Sequence, residues 1–212
     1  MIRLKENDEF ITPIHFLPSA ERYNLSIKID EWVVRNVFQW MASKKNRLNK
    51  IHHCTINLSG LSIDNEMFLE YVLYHLRTSK IPGEKICFEI TETAAIANLA
   101  KATRFINRLN SHGCLFALDD FGSGVSSFGY LKNLPVDYIK IDGSFIKNMM
   151  NDPIDLAMTR SINDIAHVMG KKTIAEFVVD EQILNMLKKI GVDYAQGYAI
   201  GRPRKINLPC HE

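Results

Sequence analysis

From Ile51 onward the chain alternates short β-branched or aromatic runs with longer stretches of helical period, and this alternation narrows its folding choices more than any other feature. The runs Cys54 to Leu58, Lys85 to Thr91, Cys114 to Asp119, Tyr138 to Ile141, Lys172 to Phe177 and a short one around Tyr194 to Gly197 read as strands. Phe68 to Leu76, Leu99 to Leu109, Ile154 to Met169 and Gln182 to Ile190 space their apolar residues as amphipathic helices do. Gly113 and Gly191 each follow a helical stretch and precede a strand, which suits helix C-caps. Ile27 to Met41 makes a further amphipathic helix, with Trp32, Val33, Val37 and Trp40 expected as core contacts. Successive βα units build a parallel sheet, either doubly wound or closed into a barrel.

The polar residues choose between these two. Asn57, Glu89, Asp119 with Asp120, Lys140 with Asp142, Glu176 and Gln196 each fall at or near the C-terminal end of a different predicted strand. In a barrel those ends converge on one mouth, whereas a doubly wound sheet gathers only the ends beside its switch point. The pair Asp119-Asp120 stands out, because an apolar run ends there in two adjacent carboxylates and the turn Phe121-Gly122-Ser123-Gly124. Two like charges so close in a partly buried site call for a shifted pKa or a bound cation. The plainer alternative is an Asx-turn in which Asp120 only caps the loop. A kinase reading of Asp120-Phe121-Gly122 fails, since no Gly-rich phosphate loop or catalytic-loop motif precedes it.

Composition excludes several other classes. With 212 residues, 46% of them hydrophobic and 24% charged, the chain has the makings of one globular domain. A net charge of +2 without long runs leaves no electrostatic footprint for duplex nucleic acid, although a local anion site stays open. Cys54, Cys87, Cys114 and Cys210 stand far apart without a C-x-x-C pair, so reduced thiols and a cytoplasmic location are expected. No signal-peptide pattern opens the sequence, and no apolar run approaches the roughly 20 residues that span a bilayer, so direct membrane insertion is not expected.

In order, the segments Thr55-Ile56-Asn57-Leu58-Ser59, Phe88-Glu89-Ile90-Thr91-Glu92, Asp119-Asp120-Phe121-Gly122-Ser123-Gly124, Lys140-Ile141-Asp142, Ala175-Glu176 and Gln196-Gly197-Tyr198 closely resemble the EAL family, which hydrolyses the bacterial second messenger cyclic di-GMP. The resemblance extends from Phe16-Leu17-Pro18-Ser19-Ala20-Glu21 to Gly201-Arg202-Pro203 and so covers nearly the whole chain. It implies an α/β fold of the (β/α)8 TIM-like type over residues 1–206, with 207–212 as a tail, carrying two Mg²⁺ or Mn²⁺ ions and giving linear pGpG. By motif, Asn57, Glu89, Asp119 and Asp120 resemble metal ligands, with Asp119 a candidate bridge. Lys140 would hold the attacking water and the phosphate, and Glu176 would be the general base. Asp142 and Gln196 resemble positions that organise the metal-water network, Gln196 facing the substrate, and Glu92 one that steadies the loop after Asp120. Arg3 resembles an arginine that meets a phosphate; Phe16, Leu17 and Pro18 a guanine-facing segment; and Pro203 a residue near the other base.

Two departures stand against the pattern. The family is named for a Glu-x-Leu segment followed by x-Arg; with its arginine on Arg3, Met1 takes the leucine position and the glutamate falls two positions before the sequence given. The sequence therefore reads as an N-terminally truncated barrel, with weaker metal affinity, reduced or absent turnover, and exposed strand edges that favour a homodimer, a rearranged N-terminus or aggregation. A sensory or cyclase domain upstream is a further expectation. In Ala175-Glu176-Phe177-Val178-Val179, many relatives carry a second glutamate where this chain has Val179. The competing functions are a cyclic di-GMP receptor without catalysis and a protein-interaction adaptor. A Schiff-base aldolase using Lys140 is disfavoured, since carboxylates around a lysine keep it protonated.

Overall fold

The computed structural model describes residues 2–7, 9–43, 45–124 and 128–206, so Met1 and the expected tail 207–212, with Cys210, lie outside the described residues. The chain opens with an antiparallel hairpin of β1 (Leu4–Glu6) and β2 (Glu9–Ile11), followed by α1 (Pro13–Arg22) and α2 (Ser26–Ser43). Strands of three residues leave no periodicity to count, so the sequence does not announce this hairpin. The βα units follow: β3 (Cys54–Leu58), α3 (Gly60–Ile63), α4 (Glu66–Ser79), β4 (Ile86–Thr91), α5 (Glu92–Ala97), α6 (Leu99–Asn110), β5 (Leu115–Phe121), β6 (Tyr138–Ile141), α7 (Gly143–Asn148), α8 (Pro153–Val168), β7 (Lys172–Ala175), α9 (Glu181–Ile190) and β8 (Tyr194–Ala195). No helix among the described residues is long and apolar enough to cross a membrane.

Strands β3 to β8 form one parallel sheet of six, and their order in space is their order in sequence. A doubly wound sheet reverses that order at its switch point, and this one never does. The sheet curls into a half-barrel of the TIM type. Among the described residues β3 and β8 each have one neighbour in it, and the β1–β2 hairpin is a separate sheet.

The two-residue period of the strands sorts side chains onto two faces. Ile56, Phe88, Ile90, Phe116, Leu118, Ile139, Ile141 and Ala175 point outward into a continuous core beneath the helices, joined there by Phe38, Phe68, Phe105 and Ile162. The alternate residues Cys87, Ala117, Tyr138 and Ile174, with Leu115 and Tyr194, form a second, smaller apolar cluster on the concave face. Continuing the same alternation toward the strand ends puts Asn57, Glu89, Asp119, Lys140 and Glu176 on that concave face. Cys54, Cys87 and Cys114 are free thiols.

Helix ends follow the glycines. At α6, Gly113 takes φ 85° and Cys114 N–H donates back to the Leu109 carbonyl. At α9, Gly191 takes φ 90° and Val192 N–H reaches Leu187 in the same way. Both are left-handed caps that a side chain would strain. Three expectations need correction. Trp32 is 43% exposed and misses the core, whereas Val33, Val37 and Trp40 pack against it partly buried, beside the fully buried Val34, Phe38 and Met41. β5 runs on through Asp120 to Phe121 instead of stopping at Asp119. β7 stops at Ala175 rather than Phe177, because Phe177 adopts φ 54°, outside strand geometry.

One buried acid ties α2 to the loop that follows β3. The Asp30 carboxylate accepts from Ser59 N–H at 2.9 Å and Ser62 Oγ at 2.7 Å, and burial holds its pKa above the ordinary carboxylate value despite those donors. Asp30→Ala should cost about 1–3 kcal/mol, since it strands a buried hydroxyl and an amide two residues beyond Asn57. Urea unfolding checks this, and an unchanged midpoint would remove Asp30 from the account.

Candidate active site and metal centre

The site is assembled by strand alternation plus one irregularity. Between β5 and β6 the pairing runs from Leu118 with Ile139 to Phe121 with Ile141, so β5 carries one residue more than its partner. That bulge lies at Asp119-Asp120, and Asp120 takes φ 54°. Left-handed backbone is tolerated better by aspartate than by most residues. In a regular strand these two side chains would point to opposite faces; the bulge lets both reach the mouth while Phe121 returns to the outer core.

Lys140 occupies the centre. Its Nζ lies 2.7 Å from Glu176 Oε1, 2.8 Å from Asp119 Oδ1 and 3.3 Å from Glu89 Oε2, with Lys140 only 2% exposed. Burial pulls the ammonium pKa down, but the three carboxylates outweigh it and raise the group above its ordinary value. A lysine held so firmly protonated is a poor amine nucleophile, which speaks against Schiff-base chemistry. Glu89 and Glu176 are raised above the usual carboxylate range, by burial first, against the opposing pull of Lys140. Asp120, more open, is raised by burial and by its neighbours Asp119 and Asp142. Four carboxylates therefore face one ammonium, and fully ionised they carry more negative charge than Lys140 can balance.

The oxygens of Asp119, Asp120 and Glu176 lie within 4.8 Å of one another, close enough to hold a metal ion. Hard carboxylate donors with excess negative charge suit a hard cation. Glu176, read from sequence as a general base, thus stands among the oxygens able to hold metal. Glu89, on the strand next to that of Asp119, accepts from Asn57 Nδ2 through its Oε2 at 2.9 Å.

The remaining residues fall into three groups. Glu92, almost fully buried, accepts from Gly122 N–H at 3.1 Å and from the Tyr130 hydroxyl, so it pins the turn after Asp120. Tyr130 has no signal in the sequence, being 38 residues away in the chain. Asp142 caps α7, its Oδ1 accepting from Ser144 N–H at 2.7 Å. Gln196 is exposed just past β8, where its backbone bonds to Ala175 and Val178 stitch β8 to the end of β7. Phe16 and Leu17 are half-buried and Pro18 exposed on α1. Arg3 is exposed, donates to the Ile2 carbonyl and, with Pro203, lines a groove of about 460 Å³ beside Trp32 and Trp40. None of these last five makes a described contact with the carboxylate cluster.

Comparison with known proteins agrees with this geometry. The chain is 44% identical over 213 residues to cyclic di-GMP phosphodiesterase PdeB of Shewanella oneidensis, which matches all of this chain and 25% of that protein. It is 38% identical to cyclic di-GMP phosphodiesterase PdeF of Escherichia coli, over 97% of this chain and 28% of the relative. The chain thus spans about a quarter of the length of these relatives. Among solved structures, the PaMucR phosphodiesterase in complex with c-di-GMP superposes with a TM-score of 0.89 at 30% identity, covering 95% of this chain and 82% of that one. The FimX EAL domain from Pseudomonas aeruginosa bound to c-di-GMP gives 0.85 at 29% identity, over 93% and 79%. The family model for the EAL domain matches residues 1–203, and with the half-barrel and its acidic mouth in place, the chain belongs to the EAL domain family.

Proposed function

We propose that this chain binds cyclic di-GMP at the mouth of its half-barrel and hydrolyses one phosphodiester bond to give linear pGpG. The observation that carries the reading is the buried Lys140 ringed by Glu89, Asp119 and Glu176, with Asp120 brought alongside by the bulge. Asp119, Asp120 and Glu176 would hold one of two divalent ions, and Glu89 with the Asn57 carbonyl oxygen would serve the other. Bound there, Mg²⁺ or Mn²⁺ supplies Lewis acidity that lowers the pKa of water and offsets charge on the phosphate. Lys140 presents a fixed positive charge to the phosphate oxygens. Glu176 would accept the proton of the attacking water through the oxygen it does not give to the ion. Glu92 keeps the Asp119-Asp120 turn from drifting. The names of PdeB and PdeF as cyclic di-GMP phosphodiesterases, and the c-di-GMP bound in the two superposed structures, support this substrate.

The test is conversion of cyclic di-GMP to pGpG with Mn²⁺, followed by chromatography, for this chain and for one extended at its N-terminus by an EAL-type Glu-x-Leu strand. Turnover that disappears in Glu176→Gln is the expected result, and no turnover by either chain would overturn the enzyme reading. One observation favours a second reading, binding without hydrolysis: Lys140 already pairs three of the carboxylates, so the mouth holds together without metal. Dinucleotide binding that survives EDTA, with no product formed in Mn²⁺, would establish that receptor instead.

A further inference from the structure

Past Glu176 the chain turns and lays an aromatic ring on the rim of the mouth. Phe177 takes φ 54°, outside the pleat of β7, and its ring packs on Gly143, the first residue of α7, so closely that a side chain there would strike it. Lys147 Nζ lies over the same ring, 4.0 Å from its centroid. Gly143 and Lys147 stand four residues apart, on one side of α7. The helix therefore covers one side of the ring, and the exposed part of Phe177, 53% of the residue, lies away from it. The segment that carries the ring is tied down on both flanks: Glu176 N–H donates to the Ile141 carbonyl, Val178 N–H to the Gln196 carbonyl, and Ala199 N–H to the Val178 carbonyl.

Folding energetics do not account for this ring. A left-handed φ suits glycine better than a bulky side chain, and a half-exposed ring returns little hydrophobic burial. Backbone outliers of this kind cluster at ligand contacts. The neighbours of the contact place it beside the reacting centre. Glu176, one residue back, reaches Lys140 at 2.7 Å, and Gly143 follows the strand end that carries Lys140. A dinucleotide whose phosphate sits at Lys140 holds each base one sugar away from that charge, on the rim and not in the acidic centre. Bases stack on aromatic faces whatever their hydrogen-bonding edges present. We propose that the exposed face of Phe177 is a stacking surface for one purine base of cyclic di-GMP, with Gly143 and Lys147 backing the ring. The proposal deepens the substrate reading above and rests on it.

The probe is the phosphorothioate analogue of cyclic di-GMP, in which sulfur replaces one non-bridging oxygen on each phosphate and slows hydrolysis while both bases stay. It is titrated by calorimetry, with Mn²⁺ present, into the full chain and into Phe177→Gly and Phe177→Tyr; Mn²⁺ alone is titrated into the same three proteins. Glycine accepts φ 54° without strain, so Phe177→Gly should keep a melting temperature and a Mn²⁺ affinity close to those of the parent. It should bind the analogue roughly tenfold more weakly, within the range for deleting one base–aromatic stack. Phe177→Tyr, which keeps the ring, should bind it as the parent does. An unchanged affinity for the analogue in Phe177→Gly would overturn the stacking surface and leave the substrate reading intact. So would a loss of Mn²⁺ affinity as large as the loss for the analogue, since the ring would then serve the acidic centre and not a base. A parent chain that fails to bind the analogue would overturn the substrate reading, and this surface with it.

Discussion

Lys140→Met should destabilise the metal-free protein by about 3–5 kcal/mol at neutral pH, the cost of removing one partner from a buried ion pair. The ammonium is 2% exposed and is the only cation in contact with Glu89, Asp119 and Glu176 among the described residues. Methionine fills much of the lysine's volume, so the loss measured is electrostatic and not a cavity. Urea unfolding at pH 8 and at pH 5 separates the two causes. At the lower pH the stranded carboxylates, already raised by burial, can take up protons and the deficit should shrink. A variant equally destabilised at both values would show that packing, not charge, is what Lys140 provides. Turnover of cyclic di-GMP should fall by a factor on the order of 10²–10³, the scale for deleting one fixed group that stabilises transition-state charge.

The same residues show how much of the site was legible beforehand. Asn57, Glu89, Lys140 and Glu176 could be placed on one mouth because strand alternation and position at a strand's C-terminal end are both visible in a sequence. The lysine's three partners could not be assigned, since they come from β4, β5 and the end of β7 and depend on how far the sheet curls. That both aspartates reach the mouth depends on the extra residue in β5, which no local pattern marks. Phe177 reads as one more strand residue because aromatic residues favour strands, whereas it takes φ 54° with its ring packed on Gly143. On α2 only Trp32 departs from the expected stripe, since Val33, Val37 and Trp40 pack at the margin of the core while Trp32 faces outward. Arg3, Pro203 and the Phe16–Pro18 segment rest on resemblance alone; the first two line a groove beside Trp32 and Trp40, and the segment lies on α1.

Mn²⁺ should raise the melting temperature at pH 8 and do so far less at pH 5. Burial, with the neighbouring negative charges, lifts Glu89, Asp120 and Glu176 above their ordinary values, so the folded protein holds protons that the unfolded chain releases. From the unfolded carboxylate pKa near 4 up through those raised values, rising pH therefore removes stability in the absence of metal. His53 and His75 work in the opposite sense: burial lowers both, so the unfolded chain protonates first and stability falls as pH drops from about 6.5 toward their folded values. The two trends oppose each other below about pH 6.5. For that reason the decisive quantity is the difference with and without metal at each pH, which cancels the histidines. As the pH falls, a cation must increasingly displace protons that the acidic cluster retains, whereas at higher pH it meets ionised oxygens and relieves their repulsion. At one hundred times its dissociation constant, a ligand of the folded state contributes about 2.7 kcal/mol. For a chain of this length that corresponds to about 5–10 °C at pH 8. Glu176→Gln should diminish the shift, since it removes one of three oxygens grouped within 4.8 Å. An equal shift at both pH values, or one unaffected by that substitution, would place the metal elsewhere on the protein.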